Sequence, residues 1–286
     1  MAQNRSLSET CHKILRNSEI VVSTLKELAE NKESLNVLEV GCGQGRAMLE
    51  LAWMFRGQDI TFYGINKDKT HELRNREHLK ETIQRYQIMP EAEIDTFPLP
   101  EVFFYDAISL HFPDESIDLI YSAVSIRFIE DKAKFLEEIS RVMRPGGIAL
   151  LHIGESNWNY PYSKALENDL LSPHLNRFIL KYNDELIPLP AYLKLFENDA
   201  FQFEFINGGK CVLKMQKLKS GQLDLNLETN TEFSMPLRPL QERHQIEKLR
   251  GGFRCVYNVP ASHYDQLFEK GFLQKTELQT EAVSTA

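Results

Sequence analysis

The sequence predicts an α/β protein built on a doubly wound, mostly parallel sheet. Short runs that are apolar almost throughout alternate with amphipathic helical stretches, as a sheet covered on both faces requires. A glycine cluster, GCGQG at residues 41–45, stands directly between the first apolar run and the first helix beyond it. With 286 residues and 33.2 kDa, the chain has ample interior for one large core.

Each element follows from local spacing. Cys11, Ile14, Leu15, Val21, Val22, Leu25 and Leu28 fall on one helical stripe and predict a lead-in helix between Leu7 and Glu30. Asn36 to Val40 predicts the first strand, and Met48, Leu49, Ala52 and Phe55 the helix after the glycines. Ile60 to Ile65 predicts a second strand, and Lys67 to about Tyr86 a charged helix with Leu73, Leu79 and Ile83 inward. Val102 to Tyr105 and Ile117 to Tyr121 predict the third and fourth strands. Phe135, Leu136, Ile139, Val142 and Met143 mark a helix that Arg144-Pro145-Gly146-Gly147 ends, before a fifth strand at Ile148 to Ile153. Phe201 to Ile206 and Lys210 to Met215, around an Asn-Gly turn, predict an antiparallel hairpin closing the sheet edge.

Beyond the hairpin, Leu223 to Leu227 and Phe253 to Val259 are strand-like and His263 to Lys270 is helical, predicting an ordered appendage with a frayed end. The expected division is an N-terminal helix at 1–34, a main domain at 35–216 with an aromatic-rich insertion at 154–200, and a C-terminal appendage at 217–286.

Composition narrows the function classes. Apolar residues make up 42% and charged residues 26%, ordinary globular usage. Lys plus Arg number 33 against 41 Asp plus Glu, a formal charge of −8, and no basic block of about five residues or more occurs. That balance disfavours nucleic acid and anionic membrane surfaces. Cys11, Cys42, Cys211 and Cys255 form no CxxC pair, which argues against structural zinc and a disulfide framework. No signal-like N-terminus or membrane-length apolar run is visible, so the expected location is the cytoplasm.

A strand-to-helix turn rich in glycine brings backbone N–H groups close to a ligand at the carboxyl edge of the sheet. A dinucleotide fingerprint would need a small residue at position 46, which is Arg; the third glycine is Gly45. Glu39-Val40-Gly41-Cys42-Gly43-Gln44-Gly45 instead resembles the first motif of the class I S-adenosylmethionine-dependent methyltransferases, methyltransferase type 11-like. Asp106-Ala107, the segment Phe112 to Ser122 and the segment Phe135 to Gly147 resemble that family's later motifs, in the same order. The resemblance covers about 35–153 and extends loosely to the hairpin.

It implies a seven-stranded Rossmann-like methyltransferase fold, S-adenosyl-L-methionine as cofactor, and an enzyme that methylates an O or N atom of a small or medium organic acceptor. It also implies that Glu39, Gly41, Cys42, Gly43 and Gly45 line the methionine part, with Ser122 at the end of strand four beside the cofactor. Asp106 would meet the adenine amino group with Ala107 beside the ring; Asp106 capping a short turn is the plainer alternative.

Asn66 departs from the family, which has an acid there to accept from the ribose hydroxyls. A charged hydrogen bond contributes ~1.5–3 kcal/mol against ~0.5–1.5 for a neutral one, so the exchange weakens binding about tenfold or less. Asp68 is a compensating candidate; otherwise Asn66 caps the next helix and Asp68 sits in its first turn.

Methyl transfer of this kind is catalysed mainly by positioning, which supplies ~7–11 kcal/mol, more than the two to four decades of a general base. Candidates for the base are His152 and Glu155 after strand five, and Tyr121 at the end of strand four; a core role is the alternative for His152 and Tyr121. Arg127 either holds an acceptor carboxylate or pairs with Glu130 or Asp131 at the surface. Trp158 and Tyr160 lead an aromatic series, continued by Tyr162, Phe178, Tyr182, Tyr192 and Phe196, that reads as a lid over an apolar acceptor or as packing of the insertion. No metal is expected, and the assembly is a monomer or homodimer. The other functional classes are a protein methyltransferase gripping its partner with the tail, and a non-catalytic cofactor-binding scaffold.

Overall fold

The computed structural model describes residues 4–15, 17, 19–123, 125–129, 131–152, 179–183, 185–187, 189–206, 212–230 and 256–273. Seven strands form the main sheet: β1 (Leu35–Val40), β2 (Ile60–Ile65), β3 (Glu101–Phe103), β4 (Ile117–Ser122), β5 (Met143–His152), β8 (Phe201–Ile206) and β9 (Val212–Lys217). Their order is β3-β2-β1-β4-β5-β9-β8. The five on the β3 side are parallel, and β9 joins antiparallel to both β5 and β8.

Every residue of β4 is buried, because side chains on both of its faces are covered. Leu119 and Tyr121 pack into a core shared with helices α2 (Ile20–Asn31), α3 (Arg46–Met54) and α4 (Asn75–Tyr86). Ile117 and Ile120 pack into the opposite core, with Phe135, Leu136 and Ile139 of α5 (Lys132–Val142). From Leu119 onward successive side chains alternate between the two cores, while Ile117 lies before the register irregularity, and burial on both faces is why β4 reads as an almost continuous apolar run.

The lead-in helix is broken. Ser6 and Glu9 form a reciprocal capping box on α1 (Leu7–Glu9), which runs into one π-helical turn, Thr10–Ile14, before α2 restarts at Ile20. Asn17 makes the break: its Oδ1 accepts from the backbone N–H of Glu19, competing with helical continuation.

The charged helix is also split. Asp68 accepts from Thr70 N–H and opens a 3-10 turn over Lys69–Arg74, and α4 begins only at Asn75. Leu73, expected inward, is 100% exposed, while Leu79 and Ile83 are buried. At about 100° per residue, a position six before Leu79 falls on the far side of the helix, so Leu73 never shared its stripe.

Arg144 to Gly147 form the beginning of β5 rather than a separate turn, and the β4/β5 register shifts between Ile117 and Leu119 to absorb them, with Gly146 at φ 80°.

A second sheet, order β10-β11-β6-β7, joins both outer segments: β6 (Ile179–Tyr182) and β7 (Glu185–Ile187) come from the insertion, β10 (Glu228–Asn230) and β11 (Val256–Asn258) from the tail. Helices α6 (Leu189–Lys194) and α7 (Ala261–Glu269) accompany it. Leu180, Tyr192, Leu223, Leu225, Tyr257 and Leu267 enter the α5-side core, so insertion, tail and main sheet share one interior.

Leu223 to Leu227 forms no strand, and Asn226 within it turns to φ 47°. Leu223 N–H donates to Ser140 Oγ at 2.9 Å and Leu225 N–H to Glu137 Oε1 at 3.0 Å, so side chains of α5 stand in for a neighbouring strand. Among the described residues no helix is long and apolar enough to cross a membrane.

Candidate functional site

The strand order reverses beside β1, whose neighbours are β2 on one side and β4 on the other, and in open α/β sheets ligands bind at the carboxyl ends of the strands at such a switch point. The glycine loop crosses it. Gly41, Gly43 and Gly45 have φ of 78°, 58° and 77°, the left-handed region open to glycine at little cost. The backbone N–H groups of Gly41 and Cys42 both donate to Ile65 O at the end of β2, at 2.8 and 3.1 Å, and Gly45 N–H to Cys42 O at 2.8 Å. Gly45 is then the N-cap of α3 and offers no side-chain cap to its first turn.

The turn after β4 (Ser125–Phe128) rests on this loop. Ser125 Oγ donates to Gly41 O at 3.3 Å, and a Cβ at Gly41 would lie 1.8 Å from Ser125 Oγ. The absence of a side chain at Gly41 is therefore what lets the two loops meet.

Glu39 is buried beneath the loop and accepts from the Tyr121 hydroxyl at 3.1 Å. Burial pushes its carboxyl up to about 7, opposed by the bonds from Tyr121 and from the Met48 backbone. The thiols of Cys11 and Cys42 are raised by the same burial and, secondarily, by the charge of Glu39, so both are held as neutral thiols. Below its ordinary value of 4.5, Glu39 is protonated whether the chain is folded or not. Between there and about 7 only the unfolded chain ionises it, so stability is lost across this window and levels off above it. We expect this loss to be on the order of 3 kcal/mol in the ligand-free protein, and Glu39→Gln to flatten it. Urea midpoints between pH 4.5 and 8 read this directly; an equal slope in the variant contradicts it.

Asn66 does not cap a helix. Its backbone N–H donates to Phe103 O at 2.9 Å and its Nδ2 to Gly43 O at 3.3 Å, tying the glycine loop to the ends of β2 and β3 and leaving Oδ1 as an acceptor. Asp68 is the cap and is exposed, its carboxylate engaged by Thr70 N–H at 3.0 Å. Asp106 pairs with Lys67 at 2.6 Å and also accepts from Ile108 N–H at 3.3 Å; Ala107 beside it is buried. Ser122 is fully buried at the end of β4, and among the described residues its Oγ has no hydrogen-bond partner.

Tyr121 is fully buried with its hydroxyl on Glu39, and burial and Glu39 raise its phenol well above the ordinary value. His152 ends β5, half-buried, opposite Val212 of β9. The Arg127 backbone lies in the turn over the loop; its side chain, and Glu155, Trp158 and Tyr160, lie outside the described residues. Of the aromatic series, Tyr182 stacks on Tyr264 with centroids 4.3 Å apart, and Tyr192 donates to Leu225 O at 2.7 Å. These two pack the insertion against the tail. Spacing alone missed Ser125, whose contact with Gly41 comes from the chain reversal after β4.

The loop, the orphaned Ser122 hydroxyl and the acceptors Asn66 Oδ1 and Asp106 suit a polar adenosyl ligand with a cationic end near Glu39. A model described as a methyltransferase domain matches residues 38–151. Malonyl-[acyl-carrier protein] O-methyltransferase 2 of Ilyobacter polytropus is 23% identical over 171 residues, 60% of this chain and 56% of that protein. A fatty-acid O-methyltransferase of Mycolicibacterium smegmatis is 30% identical over 137 residues, 47% of this chain and 43% of its own. A solved S-adenosylmethionine-dependent methyltransferase from Aquifex aeolicus overlays with a TM-score of 0.40 at 17% identity, covering 67% of this chain and 87% of that one. The chain spans about half the length of these curated relatives. The strand order, the glycine loop and the matched segment together support a class I S-adenosylmethionine-dependent methyltransferase domain over residues 38–151.

Proposed function

We propose that the protein transfers a methyl group from S-adenosyl-L-methionine to an O or N atom of a small or medium organic acceptor. The observation that carries this reading is the run of three left-handed glycines at the switch point, laid over the buried Glu39. When bound, the cofactor supplies an activated methyl group; the chain's task is to hold both reactants and exclude water.

In this reading the backbone of Gly41, Cys42, Gly43 and Gly45 and the carboxyl of Glu39 line the methionine end. Asn66 Oδ1 receives the ribose hydroxyls, Asp106 the adenine amino group, with Ala107 at the ring face and the Ser122 hydroxyl completing the wall. Asp106 must exchange its Lys67 partner for the ligand, an exposed pair of small net value. Tyr121, committed to Glu39, orients that carboxyl; where the acceptor is a hydroxyl or an amine its proton passes to His152 or Glu155, and an ionised carboxylate acceptor has none to give up. Arg127, with Trp158 and Tyr160, faces the acceptor. The two curated relatives are named as O-methyltransferases of malonyl-[acyl-carrier protein] and of fatty acids, which supports a carboxylate acceptor for Arg127 to hold.

Two measurements test the reading. Calorimetry should show saturable binding of S-adenosylhomocysteine, and incubation with methyl-labelled cofactor and a metabolite extract should give a labelled small product. Label entering protein alone contradicts the acceptor class, and absence of binding contradicts the whole assignment. Asn66→Ala, which removes both the loop tie and the acceptor, should weaken cofactor binding about fivefold to tenfold; an unchanged affinity would take Asn66 out of the site.

A further inference from the structure

Tyr257 lies on β11, far along the chain from the glycine loop, yet its fully buried side chain ends at the start of α5. Its hydroxyl accepts from the backbone N–H groups of Lys132 and Ala133, the latter at 3.3 Å, and donates to Asp131 Oδ1 at 3.3 Å. That uses the one proton and both lone pairs of a phenol. The first N–H groups of any helix lack partners within it, so a remote strand here satisfies two of them. Asp131 meanwhile caps Lys134 N–H at 3.0 Å.

The start of α5 is continuous with the turn that touches the cofactor loop. Lys132 Nζ donates to Ile129 O at 2.7 Å, and Ile129 N–H to Ile126 O at 3.0 Å. Ile126 and Ile129 are buried in the same core as Tyr257. At the front of the turn, Ser125 Oγ reaches Gly41 O. Tyr257 is thus joined to the glycine loop by hydrogen bonds at Lys132, Ile129 and Ser125, with Ile126 and Ser125 adjacent along the chain.

We propose that Tyr257 is a positioning residue for the cofactor site: by fixing the first turn of α5 it sets where Ser125 rests on Gly41. The proposal builds on the reading of that loop as the S-adenosylmethionine site. It gives the tail a part in cofactor affinity without any contact to the ligand. A shift of β11, or of its partner β6, is transmitted to Gly41 through one hydroxyl.

Tyr257→Phe keeps the ring in the core and removes only the clamp. The dissociation constant of S-adenosylhomocysteine is measured by calorimetry for wild type, Tyr257→Phe, Ser125→Ala and the double variant. Tyr257→Phe should weaken binding about fivefold to tenfold, and in the Ser125→Ala background that effect should vanish. Unchanged affinity at a lowered denaturation midpoint, or additive effects in the double variant, overturns the proposal, because a purely structural tyrosine gives those results. Hydrogen exchange in the ligand-free protein gives a second, independent reading. Protection should fall about fivefold or more at 132–133 and also at 41–45 in Tyr257→Phe; a loss confined to 132–133 overturns the coupling. Should wild type fail to bind S-adenosylhomocysteine, the cofactor assignment falls, while the exchange experiment still decides whether Tyr257 governs the loop.

Discussion

Gly41→Ala is expected to raise the dissociation constant of the cofactor more than a hundredfold and to lower stability by about 2–3 kcal/mol. Two costs combine. The residue sits at φ 78°, where any side chain is strained by roughly 1 kcal/mol. The added Cβ would also lie 1.8 Å from Ser125 Oγ and 2.2 Å from its Cβ, so the turn after β4 has to lift. That turn has little freedom, because Ile126 and Ile129 are buried and Lys132 Nζ holds the Ile129 carbonyl. Gly57→Ala separates the two costs: Gly57 has φ 88° and nothing within 4 Å of the added carbon. It should lose about 1 kcal/mol and bind cofactor as wild type does. Calorimetry and urea unfolding on both variants test this, and a Gly41→Ala protein with wild-type affinity would refute the assignment of the loop.

The second large effect is expected at the opposite end of the sheet, where Asp118, the second residue of β4, has no exposed side-chain surface. Its Oδ1 meets Lys32 Nζ at 2.7 Å, and its Oδ2 meets Arg144 at 3.0 Å and the backbone N–H of Asn36 at 2.8 Å. One carboxylate thus joins the end of α2, the start of β1 and the bulge of β5. Removing one member of a buried charge cluster costs about 3–5 kcal/mol, because partners are left uncompensated. Lys32 and Arg144 are partly exposed and can rehydrate, which puts Asp118→Ala near 3 kcal/mol. The midpoint of urea unfolding should fall while cofactor affinity per folded molecule stays within about twofold, since Asp118 lies at the far ends of the strands. Stability within about 0.5 kcal/mol of wild type would show the cluster to be energetically idle.

The main sheet was legible because burial on both faces writes itself into β1, β4 and the second half of β5 as mostly apolar runs, and because Gly41, Gly43 and Gly45 are spaced for one turn. Where local pattern and tertiary context diverge, the reading fails for identifiable reasons. Leu73 looked inward only through its apolarity, while its spacing from Leu79 already placed it outside. Leu223 to Leu227 has the alternation of a strand, but Ser140 and Glu137 of α5 supply its acceptors. The amide of Asn66 matters through Gly43, a residue 23 positions away, a distance no local rule reads. Ser125 and Tyr257 were invisible as contacts to Gly41 and α5, since both depend on how distant segments return to the same edge.

The clamp at the head of α5 joins residues 125 positions apart, and the hydroxyl concerned is on one of the last described strands. During synthesis the strands β1 to β5 therefore leave the ribosome well before the first turn of α5 can gain this clamp. Folding that depends on such distant pairings is slow, and the waiting intermediate exposes apolar surface. Nascent chains stalled just short of residue 257 should consequently be the species most readily retained by chaperones.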